Sequence, residues 1–135
     1  MTSRSRVRVR YAETDTMGVV YHSNFLIYFE IGRTDYFRSL GFTYKEMEAG
    51  DIFMPVTESF CRYLIPARYD DELEILTNFT TLSRLKFKFT YQVVRLTDSK
   101  ALADGYTTHV PVNSAGAPCR IPEQYRIALI RSQEE

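Results

Sequence analysis

At 135 residues, with 17 Lys and Arg against 17 Asp and Glu, the chain suits one domain and carries no net field to attract nucleic acid or a membrane surface. By size scaling such a domain buries roughly two-thirds of its unfolded surface, so it needs neither disulfide nor metal to fold. Cys61 and Cys119 are too few and too far apart for a zinc pattern or a disulfide framework, no secretory leader opens the chain, and no apolar run reaches the roughly 18 residues of a membrane span; a cytoplasmic protein with reduced thiols is expected.

The first element is a strand ending near Tyr11. Arg4, Arg6, Arg8 and Arg10 alternate with Ser5, Val7 and Val9, which gives an extended chain one arginine face. That face is read as solvated or interface-lining, with the holding of an anionic ligand as the alternative. A helix over 23–40 follows, because at about 100° per residue Phe25, Tyr28, Phe29, Gly32, Tyr36 and Leu40 fall on one side. Gly32 lies within that aromatic face, where glycine costs roughly 1 kcal/mol relative to alanine unless close packing needs its missing side chain. Gly41 supplies the stop.

Beyond Gly50 the pattern is strand. Leu85, Phe87, Phe89, Tyr91 and Val93 alternate with Lys86, Lys88, Thr90 and Gln92, and Leu73, Ile75, Thr77 and Phe79 repeat the period of two. Strands over 56–64, 71–81, 85–96 and 101–112 are expected as an antiparallel meander, joined at Pro66, Asp70-Asp71, Thr97-Asp98-Ser99 and Asn113-Ser114-Ala115-Gly116. A short helix follows Pro122. The expected fold class is α+β, an antiparallel sheet of about five strands wrapped around one long central helix. Sheet edges stay open in so small a domain, so association is expected.

Between the first strand and the helix the chain reads Glu13-Thr14-Asp15, then Gly18-Val19-Val20-Tyr21-His22-Ser23-Asn24, then Glu30-Ile31-Gly32-Arg33-Thr34. These motifs, with Pro66-Ala67-Arg68-Tyr69-Asp70-Asp71-Glu72-Leu73, resemble the hot-dog-fold acyl-CoA thioesterases of the 4-hydroxybenzoyl-CoA thioesterase and YbgC-like type. The resemblance spans most of the chain. It implies a hot-dog domain, hydrolysis of a short-chain or aromatic acyl-CoA to the free acid and CoA, and no cofactor beyond the CoA of the substrate. It also implies a homodimer or homotetramer with the active site at a subunit interface.

By the same resemblance Asp15 is the catalytic carboxylate, acting as nucleophile or as general base on water. Glu13 is the rival acid, on Asp15's side if the chain stays extended, and is read as supporting. His22 and Tyr11 match assisting positions, and the backbone N–H of His22 at the helix start matches the donor that polarises the thioester carbonyl. Gly18, Val20 and Tyr21 are expected to border the substrate. Arg84 and Lys86, with Lys88 beside them, are candidates for the CoA phosphates. Met17 departs from the small residue common in relatives, which affects the acyl pocket.

Other residues read as structural: Asn24 as helix cap, Glu30 as a helix-surface partner of Arg33 or Thr34, and His109 as a strand histidine without metal-ligand spacing. No phosphate-loop or dinucleotide fingerprint is present, which disfavours nucleotide hydrolysis and hydride transfer. Two rival functions remain at this stage. A hot-dog hydratase or dehydratase would need His22 or His109 as base, and a non-catalytic acyl-CoA binding module would bind without releasing thiol.

Overall fold

The computed structural model describes residues 1–134 and arranges them as β1 (Ser3–Arg8), α1 (Asn24–Ser39), α2 (Tyr44–Ala49), β2 (Val56–Tyr63), β3 (Glu72–Ser83), β4 (Lys86–Arg95), β5 (Lys100–His109) and α3 (Glu123–Glu134). One antiparallel sheet runs in the order β1-β3-β4-β5-β2. The central helix α1 packs against β1, β3, β4 and β2, which is the hot-dog arrangement. It buries Phe25, Tyr28, Phe29, Gly32, Tyr36 and Phe37, the expected face with Phe37 added; Leu40, also expected there, caps the helix and is half-buried. On the facing side lie Leu73, Ile75, Thr77 and Phe79 of β3 and Phe87, Phe89, Tyr91 and Val93 of β4. The period of two therefore points each residue as the sequence implies.

At Gly32 helix and sheet approach closely. A Cβ there would run into Thr77 Oγ1 and lie 2.9 Å from Ile75 Cγ2, so only glycine admits the sheet at this distance.

Several boundaries and pairings differ from expectation. The first strand ends at Arg8, and Tyr11–Glu13 turn into a short 3₁₀ helix that breaks the period of two. Only β3, β4 and β5 form a meander. β2 crosses to the far edge and pairs with β5, Tyr63 opposite Ala103. α2 is an addition, and Thr43 caps it, its Oγ1 accepting from the Glu46 N–H at 3.1 Å. The arginine face of β1 meets carboxylates of β3: Arg4 bonds Glu74 at 2.8 Å and Arg8 bonds Glu72 at 2.9 Å. Those guanidiniums are thus matched within the chain.

α3 closes the end of the barrel-like wrap opposite the α1 N-terminus. The Tyr36 hydroxyl donates to Ser132 Oγ at 2.6 Å, and the Thr81 N–H donates to Gln133 Oε1 at 2.7 Å. Among the described residues, no helix is long and apolar enough to cross a membrane.

Candidate active site

The chemistry-bearing loop is a small hairpin built by local rules. Asp15 N–H donates to the Val19 carbonyl at 2.9 Å, Gly18 N–H donates to the Asp15 carbonyl at 3.0 Å, and Thr14 bridges Val20. Gly18 has φ +78°, the left-handed position that a three-residue hairpin loop assigns to glycine. Asp15 Oδ1 accepts from the Met17 N–H at 2.9 Å and from the Val19 N–H at 3.4 Å. This holds the carboxylate as an Asx turn does. Among the described residues, Asp15 Oδ2 receives no hydrogen bond, so one oxygen is fixed by the turn and the other is available.

Glu13 has a different setting from Asp15. The 3₁₀ turn buries its carboxylate, which accepts from the Tyr28 hydroxyl at 2.8 Å, the Arg10 N–H at 3.0 Å and Arg10 Nε at 2.9 Å. Burial pushes this carboxyl up, but the Arg10 amide, the Tyr28 hydroxyl and the Arg10 guanidinium outweigh it and hold it below the usual carboxylate range. The expectation that Glu13 shares Asp15's side does not hold, because the chain is not extended there. Glu13 instead anchors the loop to α1.

Helix α1 begins one residue later than its expected start. Ser23 is the cap and makes no side-chain cap bond; Asn24 is the first helical residue, and its Nδ2 donates to the Glu13 carbonyl at 2.8 Å. Asn24 is thus a strap between loop and helix rather than a cap. The backbone N–H groups of His22 and Ser23 meet no acceptor among the described residues. Such free amides at a helix start suit a developing oxyanion.

Loop, helix start and the segment leaving β2 enclose a cleft of about 380 Å³, lined by Asp15, Val19, Val20, Tyr21, His22 and Phe25 on one side and Tyr63, Leu64, Ile65 and Pro66 on the other. That volume lies within the range of small-molecule sites. The Tyr63 hydroxyl donates to the His22 carbonyl at 3.2 Å, the Phe25 and Tyr63 rings meet edge to face at 5.5 Å, and the His22 ring lies 4.4 Å from that of Tyr21. One carboxylate thus faces a largely apolar, aromatic cleft.

The expected site residues divide between two ends of the molecule. Asp15, Val20, Tyr21 and His22 share the cleft, and Gly18 shapes its hairpin. Tyr11 does not border the cleft; its ring is exposed and packs edge to face on Tyr69 at 5.6 Å. Met17 is exposed at the hairpin tip and is likewise no part of the cleft wall. Arg84 and Lys86 lie at the β3–β4 junction, a strand length from the Tyr63 end of the sheet: about 30 Å at 3.3 Å per residue over the ten residues of β4. Within one chain they do not reach Asp15. Lys88 lies over the Tyr106 ring at 4.4 Å. Glu30 is exposed and its Oε1 accepts from Thr34 Oγ1 at 3.4 Å. His109 is buried at the Lys86 end of the sheet.

Sequence reasoning missed the second wall, Tyr63 to Pro66. It also missed Arg68, whose backbone pairs antiparallel with Val19 and whose guanidinium meets no carboxylate among the described residues. Directly opposed residues in such a pair project to one face, so Arg68 and the cleft-lining Val19 share a side. The signal was present in the apolar run ending at Pro66, but nothing local links it to a loop some 45 positions earlier.

Comparisons with known proteins agree with this architecture. Escherichia coli acyl-CoA thioester hydrolase YbgC is 36% identical over 88 residues, 65% of this chain and 66% of that protein. The crystal structure of DHNA-CoA thioesterase from Staphylococcus aureus superposes with a TM-score of 0.93 at 30% identity, covering 98% of this chain and 91% of that one. The gentisyl-coenzyme A thioesterase BH1999 superposes with a TM-score of 0.85 at 25% identity, covering 93% and 98%. The sequence model of the thioesterase-like superfamily matches residues 9–129, nearly the whole chain, and the protein belongs to that family.

Proposed function

We propose that the protein hydrolyses a short-chain or aromatic acyl-CoA to the free acid and CoA, with Asp15 as the reacting carboxylate. Its relatives make it a thioester hydrolase. The observation that carries the residue assignment is the Asp15 carboxylate, fixed through Oδ1, beside an apolar cleft and two free amides at the start of α1.

In the reaction, Asp15 Oδ2 attacks the thioester carbonyl, or takes a proton from a water that attacks it. The tetrahedral oxyanion that forms is held by the N–H groups of His22 and Ser23. Collapse breaks the carbon–sulfur bond and expels CoA thiolate, which takes up a proton; on the nucleophilic route water then opens the mixed anhydride and restores Asp15. The His22 ring stands at the cleft to assist the leaving thiolate. No metal or redox group takes part.

Two neighbours are named as DHNA-CoA and gentisyl-coenzyme A thioesterases, and Tyr21, Phe25 and Tyr63 give this cleft flat apolar walls that suit an aromatic acyl group. Arg68 holds the CoA phosphates in this reading, which its backbone pairing with Val19 and its lack of an acidic partner among the described residues support; Arg84 and Lys86 can serve this cleft only from a second chain. The protein acts as a homodimer or homotetramer in the cytoplasm. Supporting this, β2 is an edge strand exposed along its length, with Val56, Phe60 and Tyr63 presented to solvent, and both cysteines are unpaired.

The test is free-thiol release from short, aromatic and long acyl-CoAs by the wild type, Asp15→Asn and His22→Ala. Aromatic or short chains should give the highest kcat/KM. Asp15→Asn should lose about 10²–10⁴-fold in kcat, the range of acid–base groups, while folding normally because the amide oxygen still accepts from Met17. Enoyl hydration with thioester intact, or saturable binding with no thiol released, would overturn the proposal.

A further inference from the structure

Tyr63 ends β2 on the wall of the cleft across from Asp15, and its surroundings fix where its hydroxyl stands. The backbone is tied down: Tyr63 pairs with Ala103 of β5, and the next two N–H groups, of Leu64 and Ile65, donate to the Leu102 carbonyl at 2.8 and 3.1 Å. The ring rests edge to face against two residues of the helix start, with centroids 5.5 Å from Phe25 and 6.1 Å from His22. From that seat the hydroxyl donates to the His22 carbonyl at 3.2 Å. Burial and the neighbouring Cys61 thiol raise the pKa of the phenol, so it remains a proton donor at neutral pH.

The His22 carbonyl belongs to the same peptide group as the Ser23 N–H, one of the two amides at the start of α1 that meet no acceptor among the described residues. That carbonyl also accepts from the Phe25 N–H at 3.1 Å, so the peptide is held from within the helix by Phe25 and from a separate strand by Tyr63. Hydrogen bonds in a chain polarise one another: a donor at the carbonyl end makes the N–H at the other end a stronger donor in turn. The converse decides the kinetics. When an oxyanion forms against the Ser23 N–H, the peptide is polarised further, its carbonyl becomes a better acceptor, and the Tyr63 bond strengthens. A contact that is stronger in the transition state than in the ground state raises kcat rather than tightening the substrate.

We infer that Tyr63 is a positioning residue for thioester hydrolysis, its hydroxyl holding and polarising the His22–Ser23 peptide so that the Ser23 N–H is set to receive the developing oxyanion. Tyr63 touches no reacting atom in this role; it acts through the backbone of its neighbour across the cleft. The inference rests on the reading that the thioester carbonyl lies at the start of α1, but not on which group attacks that carbonyl.

The experiment compares the wild type with Tyr63→Phe, each with and without His22→Ala, in steady-state thiol release from an acyl-CoA that the wild type turns over. It also reads the carbonyl-carbon shift of His22 and the amide shift of Ser23 by NMR on the free wild type and Tyr63→Phe. Phenylalanine keeps the ring against Phe25 and His22 and removes only the hydroxyl. Tyr63→Phe should lower kcat about 3–10-fold, the worth of one hydrogen bond, at unchanged KM. The loss should be as large in the His22→Ala background, where the carbonyl remains and the imidazole is gone. Both shifts should move upfield, while the urea midpoint, which a merely structural role would lower, stays put. An unchanged kcat, a change confined to KM, a loss that disappears with the His22 ring, or a His22 carbonyl shift that does not move would each overturn the inference; the third would make Tyr63 a support for the imidazole instead. Asp15→Asn keeps the two readings apart: turnover at the wild-type rate would remove Asp15 as the reacting carboxylate and leave the Tyr63 effect in place.

Discussion

The buried hydroxyl of Tyr28 on α1 donates to the carboxylate of Glu13 at 2.8 Å, joining the central helix to the loop that presents Asp15. Glu13 also takes two bonds from Arg10, so a single carboxylate ties together the residue that caps the 3₁₀ turn, the turn itself and the second turn of α1. Replacing it by alanine leaves Tyr28, fully buried, without an acceptor, at a cost of about 1–3 kcal/mol. Glu13→Ala should lower both stability and kcat, because the hairpin loses its anchor. Tyr28→Phe should cost less, and a double-mutant cycle by denaturant unfolding should return a coupling of about 1 kcal/mol or more. Additive effects would disprove the coupling.

Arg68 offers a cleaner separation of binding from chemistry. If its guanidinium holds CoA phosphates, Arg68→Ala should raise KM for an acyl-CoA about tenfold with little change in kcat. The same variant should act normally on an acyl N-acetylcysteamine, which carries the thioester but no phosphate. An equal loss on both substrates would show that Arg68 supports the Val19 strand instead.

Much of this fold was legible because its signals are local. The aromatic face of α1 and the alternation of β3 and β4 report which side of an element is buried, and Asp15-Thr16-Met17-Gly18 reports a turn with glycine at the left-handed position. What was hidden is non-local. Alternation says which face of β2 might be buried but not which strand lies beside it, and β2 is exposed along most of its length, so its move to the β5 edge left no trace. The separation of Glu13 from Asp15 turns on three residues of 3₁₀ helix that a period-two reading carries straight through. α2 did leave a signal, since Thr43 and Glu46 have capping-box spacing, but six residues are too few for periodicity to register.

Gly32 makes a prediction of opposite sign to helix propensity. On an exposed helix Gly→Ala gains about 1 kcal/mol. Here the added methyl meets Thr77 Oγ1 and Ile75 Cγ2, both on β3, and neither can swing aside because both face α1 from within the core. Gly32→Ala should therefore destabilise by about 1–3 kcal/mol net, the usual cost of overpacking. Pairing it with Thr77→Ser, which leaves the colliding oxygen but removes a methyl, should recover little; Thr77→Ala should recover more. Both comparisons are read from urea midpoints at constant m-value.

His109 sets the acid limit of the fold. Its ring is fully buried, with Nδ1 3.2 Å from the Met54 carbonyl and Nε2 2.8 Å from Thr107 Oγ1. A carbonyl only accepts, so Nδ1 carries the proton and Nε2 accepts from the Thr107 hydroxyl, which in turn accepts from Tyr91 at 2.7 Å. Burial pushes the imidazole pKa from 6.5 down to about 4; the Met54 carbonyl opposes this and the charge of Arg33 reinforces it. The unfolded chain therefore binds this proton near pH 6.5 and the folded one only near pH 4, so stability is full above pH 6.5 and falls as pH drops through that window. The shift corresponds to about 3 kcal/mol lost between those limits. Glu13, held below its ordinary value, adds a separate loss that begins below about pH 4.5. His109→Gln should cost stability at pH 7, through the disturbed Tyr91–Thr107 chain, yet flatten the slope between pH 6.5 and 4. Parallel slopes for variant and wild type in urea unfolding across that range would show that another group carries the acid sensitivity.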